Sequence, residues 1–309
     1  MRNLKKINLL SFVLLALIIV SCKQDDIKPQ SVSDILIDNK DFSILNSAVK
    51  YAGFQDALKT SQLTLFAPND AAFKASGFAD ASAITSLPIE KVRALLSYHL
   101  FTQKITSKNL NEGEQEIKMF SKETAYLAKN IKGVSVNGVV VSTADIEASN
   151  GVVHSIDKVI SPPTQTLEQL VKANPNISLF LQAVTKVSLT NPDFQKLLTS
   201  STAFTIFAPS NKAMEAIGYS EVGIKNTPPS LLGTVLLYHV AQGRFFISNL
   251  ATNSQIPVWG IPNRVIIIIK SDATGLQVRG AGPTVANVNP PSLLATNGVL
   301  HVVDKALVP

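Results

Sequence analysis

The feature that most constrains this chain is a stretch written twice. LTLFAPNDAAFKASGF at residues 63–78 returns 141 positions later as FTIFAPSNKAMEAIGY at residues 204–219, with seven of sixteen positions identical. Two more echoes follow in the same order. LLSYHL (95–100) returns as VLLYHV (235–240), and NGVVHSIDKVI (150–160) as NGVLHVVDKAL (297–307), at separations of 140 and 147 residues. Solenoid units run to a few tens of residues, so a period this long marks a duplicated domain. The SPPT step at 161–164 is the natural linker, because paired prolines interrupt helix and strand alike. The sequence thus predicts domains over about 31–161 and 163–309, preceded by a leader (1–21) and a polar tether (22–30).

The repeated letters predict a local geometry. LTLF and FTIF read as short strands, ended by Pro68 and Pro209, which cannot extend a sheet ladder. Asn69 and Ser210 then stand where a helix cap is favoured, and Gly77 and Gly218 where a left-handed close is wanted. Phe66 and Phe207 belong to the same corner. Upstream, residues 33–58 and 166–187 space their apolar residues near helical period, the second interrupted by Pro175. Prolines open the helices that end in Tyr-His. The remainder is strand-like: Asn137-Gly138 is a two-residue hairpin signal, and the β-branched run RVIIIIK (264–270) suits a fully buried strand. Helices first and mostly antiparallel strands after make each copy an α+β domain.

The N-terminus reads as targeting rather than fold. Arg2, Lys5 and Lys6 precede a 14-residue apolar run that ends at Ser21-Cys22, the only cysteine. That run is short for a bilayer span and fits a secretory signal. It resembles a bacterial lipoprotein signal, which implies lipid on Cys22 and a membrane tether; an uncleaved N-terminal anchor is the other reading. The acidic pair after Cys22 resembles the export signal of some Bacteroidetes-type surface lipoproteins and equally suits a solvated spacer. Without the leader the chain keeps 25 basic and 22 acidic residues. No Lys/Arg cluster tracks phosphates, so nucleic acid is not an expected partner. With no cysteine after Cys22, disulfides and thiol chemistry are excluded, and each core must hold by packing alone.

TLFAPNDAAF with TIFAPSNKAM, the Tyr-His after an apolar helix, and NGVVHSID with NGVLHVVD together resemble the fasciclin-like domain, twice and over nearly the whole mature chain. The resemblance implies two tandem domains, each a wedge-shaped, mostly antiparallel β core with several short α-helices. It also implies a secreted or surface-anchored adhesion or matrix-interaction role without catalysis. Copy two departs at Met214, where copy one has Phe73, and in its proline-rich segments.

All four histidines lie in the motifs. A metal reading pairs His99 with His154 and His239 with His301, adding Asp157 or Asp304, but compact ligand spacing is missing, so no metal or cofactor is expected. A hydrolytic reading lacks a nucleophile elbow, and Ser155 beside His154 on a strand points to the other face. Glu112, Glu114 and Glu116 read as a solvated face. Two readings stand for Tyr98-His99 and Tyr238-His239. The family resemblance makes them candidate contact residues, whereas packing under the sheet makes them fold determinants. Trp259, the only tryptophan, is either a sugar platform or a lid over the second core. The sequence therefore predicts an outer-membrane lipoprotein, at the cell surface or the periplasmic face, binding an unknown protein or matrix partner. Polysaccharide capture is the alternative.

Overall fold

A computed structural model describes residues 29–272 and 275–308, so the leader, Cys22 and most of the tether lie outside the described residues. The first domain carries seven strands: β1 (Leu63–Pro68), β2 (Leu100–Phe101), β3 (Gly113–Lys118), β4 (Thr124–Asn130), β5 (Gly133–Val136), β6 (Val139–Ala148) and β7 (Gly151–Ile156). The second repeats them as β8 (Phe204–Pro209), β9 (Val240–Gln242), β10 (Gln255–Pro257), β11 (Val265–Asp272), β12 (Gly275–Arg279), β13 (Val285–Ala295) and β14 (Gly298–Val303). The strand orders are β2-β1-β7-β6-β5-β4-β3 and β9-β8-β14-β13-β12-β11-β10, the same topology twice. Every pairing is antiparallel except β1 with β7 and β8 with β14.

Those two parallel pairings join the start of each copy to its end, and every residue of β1 and β7 is buried. The strands lie so close that a Cβ on Gly151 would come within 2.1 Å of the Leu63 carbonyl oxygen, and one on Gly298 within 2.0 Å of that of Phe204. The Asn-Gly of NGVVH and NGVLH is therefore a fit for contact. The Asn has its own task. Asn150 Oδ1 accepts from Val32 N at 2.9 Å while its amide donates to the carbonyls of Leu58 and Thr60. Asn297 does the same with Leu167 N (2.8 Å), Leu198 O and Ser200 O. One side chain ties the first helix and the loop before the first strand onto the last strand.

The corner motif explains its own recurrence. Asn69 accepts from Ala72 N (2.8 Å) and Ser210 from Ala213 N (3.2 Å), capping the helices Asp70–Ala75 and Asn211–Ala216. The next residue caps a different helix: Asp70 accepts from Ile44 N and Asn211 from Leu179 N. Gly77 and Gly218 close their helices at φ of +91° and +87°. The shared threonines reach the loop after β2 or β9: Thr64 donates to Gln103 O and accepts from Ile105 N, as Thr205 does with Gly243 O and Phe245 N.

Three expectations change. The helical opening of copy one breaks at Asn39 without a proline, into Val32–Asp38, a 3₁₀ turn and Ser43–Tyr51, because Asn39 caps Asp41 N. That break matches the one at Pro175 in copy two, and it lets the second helix meet Asp70. The run RVIIIIK is not fully buried. Ile266 and Ile268 are buried while Val265 and Ile267 are half-buried, so β11 covers one core only. The short helices Ala81–Thr85 and Glu221–Asn226 were not legible, being too brief for a periodic signal.

Asn297→Ala should cost about 3 kcal/mol, since three buried backbone groups lose their partner at once. Urea unfolding of the variant against the parent chain measures this.

Candidate functional site

The residues flagged by the motifs are inside the fold. Tyr98, His99 and His239 have no exposed surface and Tyr238 only 4 %. As contact residues they are therefore corrected: they present no face to a partner. His99 Nδ1 donates to Leu95 O (2.7 Å) and its Nε2 accepts from Ile160 N (3.1 Å). His239 repeats this with Val235 O (2.8 Å) and Leu307 N (2.7 Å). Each ring ties the end of the Tyr-His helix to the last residues of its domain. Tyr98 donates to Thr124 O and accepts from Asn137 Nδ2, both at 2.8 Å, and burial pushes its hydroxyl up to about 12.

His154 and His301 are the second pair. His154 stacks on Phe66 (5.6 Å between ring centres) and His301 on Phe207 (4.9 Å). Their Nε2 atoms donate to Ile105 O and Phe245 O; their Nδ1 atoms accept from Asp145 N and Ser292 Oγ. All four rings are thus fully hydrogen-bonded in the neutral form. Burial holds His99, His239 and His301 down to about 4 and lowers His154 as well. Asp304 accepts from Asn287 N and Nδ2, while Asp157 is exposed at the edge of a cleft between the domains. Among the described residues no three His, Cys, Asp or Glu gather as metal ligands. Trp259 is half-buried, its ring at 82° to that of Phe204 with 5.6 Å between centres, and packed on the second core.

What the sequence did not indicate is the contact between the domains. Arg244, only 8 % exposed, reaches from the second domain toward Glu114 (3.7 Å) and Glu116 (3.5 Å) on β3. Its guanidinium lies 3.8 Å over the Tyr126 ring and donates to Thr296 O. The solvated-face reading holds for Glu116, 62 % exposed, and is corrected for Glu114, whose side chain is 25 % exposed; both share one partner across the junction. Around this pair, Phe246 packs with Tyr126 and Val299, and the Gly138 turn lies so flush on the Phe246 ring that a Cβ would meet it at 2.6 Å. Asn130 Nδ2 donates to Asn249 O, Ser135 Oγ to Asn249 Oδ1, and Lys132 Nζ to Ser271 O and Oγ. Burial raises Glu114 to about 7, with Glu116 adding to the rise and Arg244 opposing it.

With this geometry in view, the comparisons are decisive. The Fasciclin domain model matches residues 40–162 and 175–309. The chain belongs to the fasciclin-domain family. It is 29 % identical over 256 residues to rabbit (Oryctolagus cuniculus) transforming growth factor-beta-induced protein ig-h3, covering 80 % of this chain and 35 % of that protein. It is 36 % identical over 138 residues to protein sll1483 of the bacterium Synechocystis, covering 43 % of this chain and 74 % of that one. This fasciclin pair spans about a third of the length of the ig-h3 proteins it matches. The solved FAS1 domain pair of the insect cell adhesion molecule fasciclin I aligns over 86 % of this chain and 97 % of that one, at 19 % identity and a TM-score of 0.41.

Two pH responses of opposite sign follow. Histidines whose folded pKa is depressed stabilise the fold fully above 6.5 and lose that contribution as pH falls toward 4, each worth of order 3 kcal/mol. The melting temperature should therefore drop steeply between pH 6.5 and 4, and His99→Ala, which strands Ile160 N, should lower it at pH 7; calorimetry reads both. Glu114 has its pKa raised, so its contribution to docking is full below 4.5 and lost as pH rises through 7. Glu114→Gln should flatten that upper limb, seen as a domain separation by solution scattering that no longer changes between pH 6 and 8.

Proposed function

We propose that this protein is a non-catalytic adhesion or interaction module, held at a bacterial outer membrane through lipid on Cys22. Its two fasciclin domains act as one joined binding body. Fasciclin domains are found in cell-adhesion and matrix-interacting proteins, which supports the class of function. The observation that carries the reading is the fate of the chemistry-bearing residues. All four histidines are neutral, buried and committed to hydrogen bonds that hold the fold, in both copies alike. A side chain so committed has no free lone pair or proton for turnover. What remains for function is outer surface, and the junction through Arg244 gives the two domains a common one.

The partner in this reading is a protein or matrix component. Polysaccharide capture is the second reading; Trp259, its candidate platform, is half-buried against Phe204 and the second core. No helix among the described residues is long and apolar enough to cross a membrane.

Protease shaving of intact cells, with mass spectrometry of the released peptides, tests placement. Peptides from both domains are the expected result. Their appearance only after lysis would put the protein in the periplasm and end the cell-adhesion reading.

A further inference from the structure

Beside the Arg244 junction the two domains leave a cleft of about 820 Å³, within the size range of ligand sites and at a place, between domains, where such sites commonly form. Its walls include Val139 and Val140 from the first domain and Ile247, Pro290, Pro291 and Leu294 from the second. Val140 is 45 % exposed and both prolines are exposed, so apolar surface is open to solvent here.

The duplication supplies an internal control for whether the fold needs these residues. His154 and His301 donate to Ile105 O and Phe245 O, which fixes those two residues as equivalents. The residues that follow are Thr106-Ser107 in copy one but Phe246-Ile247 in copy two. Likewise Ala148 opposite Gly151 matches Ala295 opposite Gly298, and Asp145 matches Ser292 as the partner of the histidine Nδ1. Counting back along these strands, Thr143-Ala144 of copy one stands where copy two has Pro290-Pro291. The fold tolerates Thr, Ser and Ala at these places, and copy two carries larger apolar residues where it lines the cleft. Phe246 is accounted for by its packing on Tyr126 and Gly138, and Ile247 in part by its packing on the second core; the exposed prolines are not.

The polar groups of the walls narrow the ligand. Ser135 and Ser248 are bound to Asn249, Asn137 to Tyr126 N and Tyr98, Ser271 to Ile247 O, and Ser292 to His301, while of the charged lining residues Lys132 donates to Ser271 and Asp272 lies 3.7 Å from Lys270. The prolines bring no N–H. A sugar or a peptide would lose water from its hydroxyls or amides and find these side chains already committed. A methylene chain has nothing to satisfy. At the edge, Asp157 and Lys158 are exposed and within reach of a polar head.

We propose that the interdomain cleft binds the acyl chain of a single-chain amphiphile, with its head toward Asp157 and Lys158. This goes beyond adhesion, and it holds or fails independently of where the protein resides.

The test uses the two-domain chain purified with Cys22→Ser, so that no acyl chain of its own is present, after delipidation. It is titrated with the fluorescent fatty acid 11-(dansylamino)undecanoic acid. Saturable enhancement is expected. Val140→Asp, which sets a charge in the apolar wall at an exposed position, should weaken it by about tenfold or more. Leu189→Asp, at an exposed apolar residue outside the cleft lining, should leave it unchanged. Displacement by palmitate alone would make a free fatty acid the ligand. Displacement by palmitate and by palmitoyl-lysophosphatidylethanolamine would make the chain the recognised part whatever its head. Absence of saturable binding, or equal weakening by the two aspartate variants, would overturn the proposal.

Discussion

The parallel contact between the first and last strands of each copy is the constraint on which the rest depends. β1 and β7 are 83 residues apart at their ends yet lie side by side, buried throughout, with their register running from Leu63 opposite Gly151 to Pro68 opposite Ile156. Such a long-range pairing is costly to close and must be fixed at several points. Asn150 fixes one end by gathering the first helix and the loop before β1. His154 fixes the middle, stacking on Phe66 and reaching the loop after β2. His99 fixes the exit by binding Ile160 N. Asn297, His301 and His239 do the same work around β8 and β14. The motifs that make the family recognisable are the fastenings of this one pairing.

That explains how much of the molecule was legible. Residues that repeat in both copies encode geometry that repeats, so the corner after β1, the caps at Asn69 and Ser210 and the last strand could be read, while the Asn137-Gly138 hairpin was legible from its own turn chemistry. The pairings across the junction could not, because they occur once. Lys104 of copy one pairs with Glu147 inside its own domain, whereas Arg244, its positional equivalent, crosses to Glu114 and Glu116. Nothing in the string of letters says which of two cations turns outward. The one signal available was an arginine in place of a lysine, suited to stacking on an aromatic ring while meeting carboxylates. Burial of the Tyr-His pairs was the complementary case: their recurrence in divergent copies pointed to packing, and their hydrogen bonds agree.

The junction is also where burial and charge act against each other. Two carboxylates two residues apart on β3 face one guanidinium, so one negative charge is uncompensated in a partly desolvated place. Desolvation outweighs the attraction to Arg244 at Glu114, which is why its pKa rises although it has a cationic neighbour. Glu116, 62 % exposed, stays in contact with water. Between the domains, burial thus acts on a carboxylate, Glu114, and within each domain on the histidines, shifting the two kinds of group in opposite directions. Association of the domains and stability of each one are governed by different groups.

A duplicated chain carries its own control for separating fold from function. Where the copies agree, as at Thr64 and Thr205 or Asn150 and Asn297, the side chain serves the scaffold and makes the same contact twice. Where they differ at equivalent places, the scaffold has released the position and something else has set it. Three such differences lie along one border of the molecule: Lys104 against Arg244, Thr106-Ser107 against Phe246-Ile247, Thr143-Ala144 against Pro290-Pro291. In each pair the second-domain residue faces the first domain or the cleft between them. At these places the second copy departs from the first where the two domains meet, whereas the motifs they share lie inside each domain.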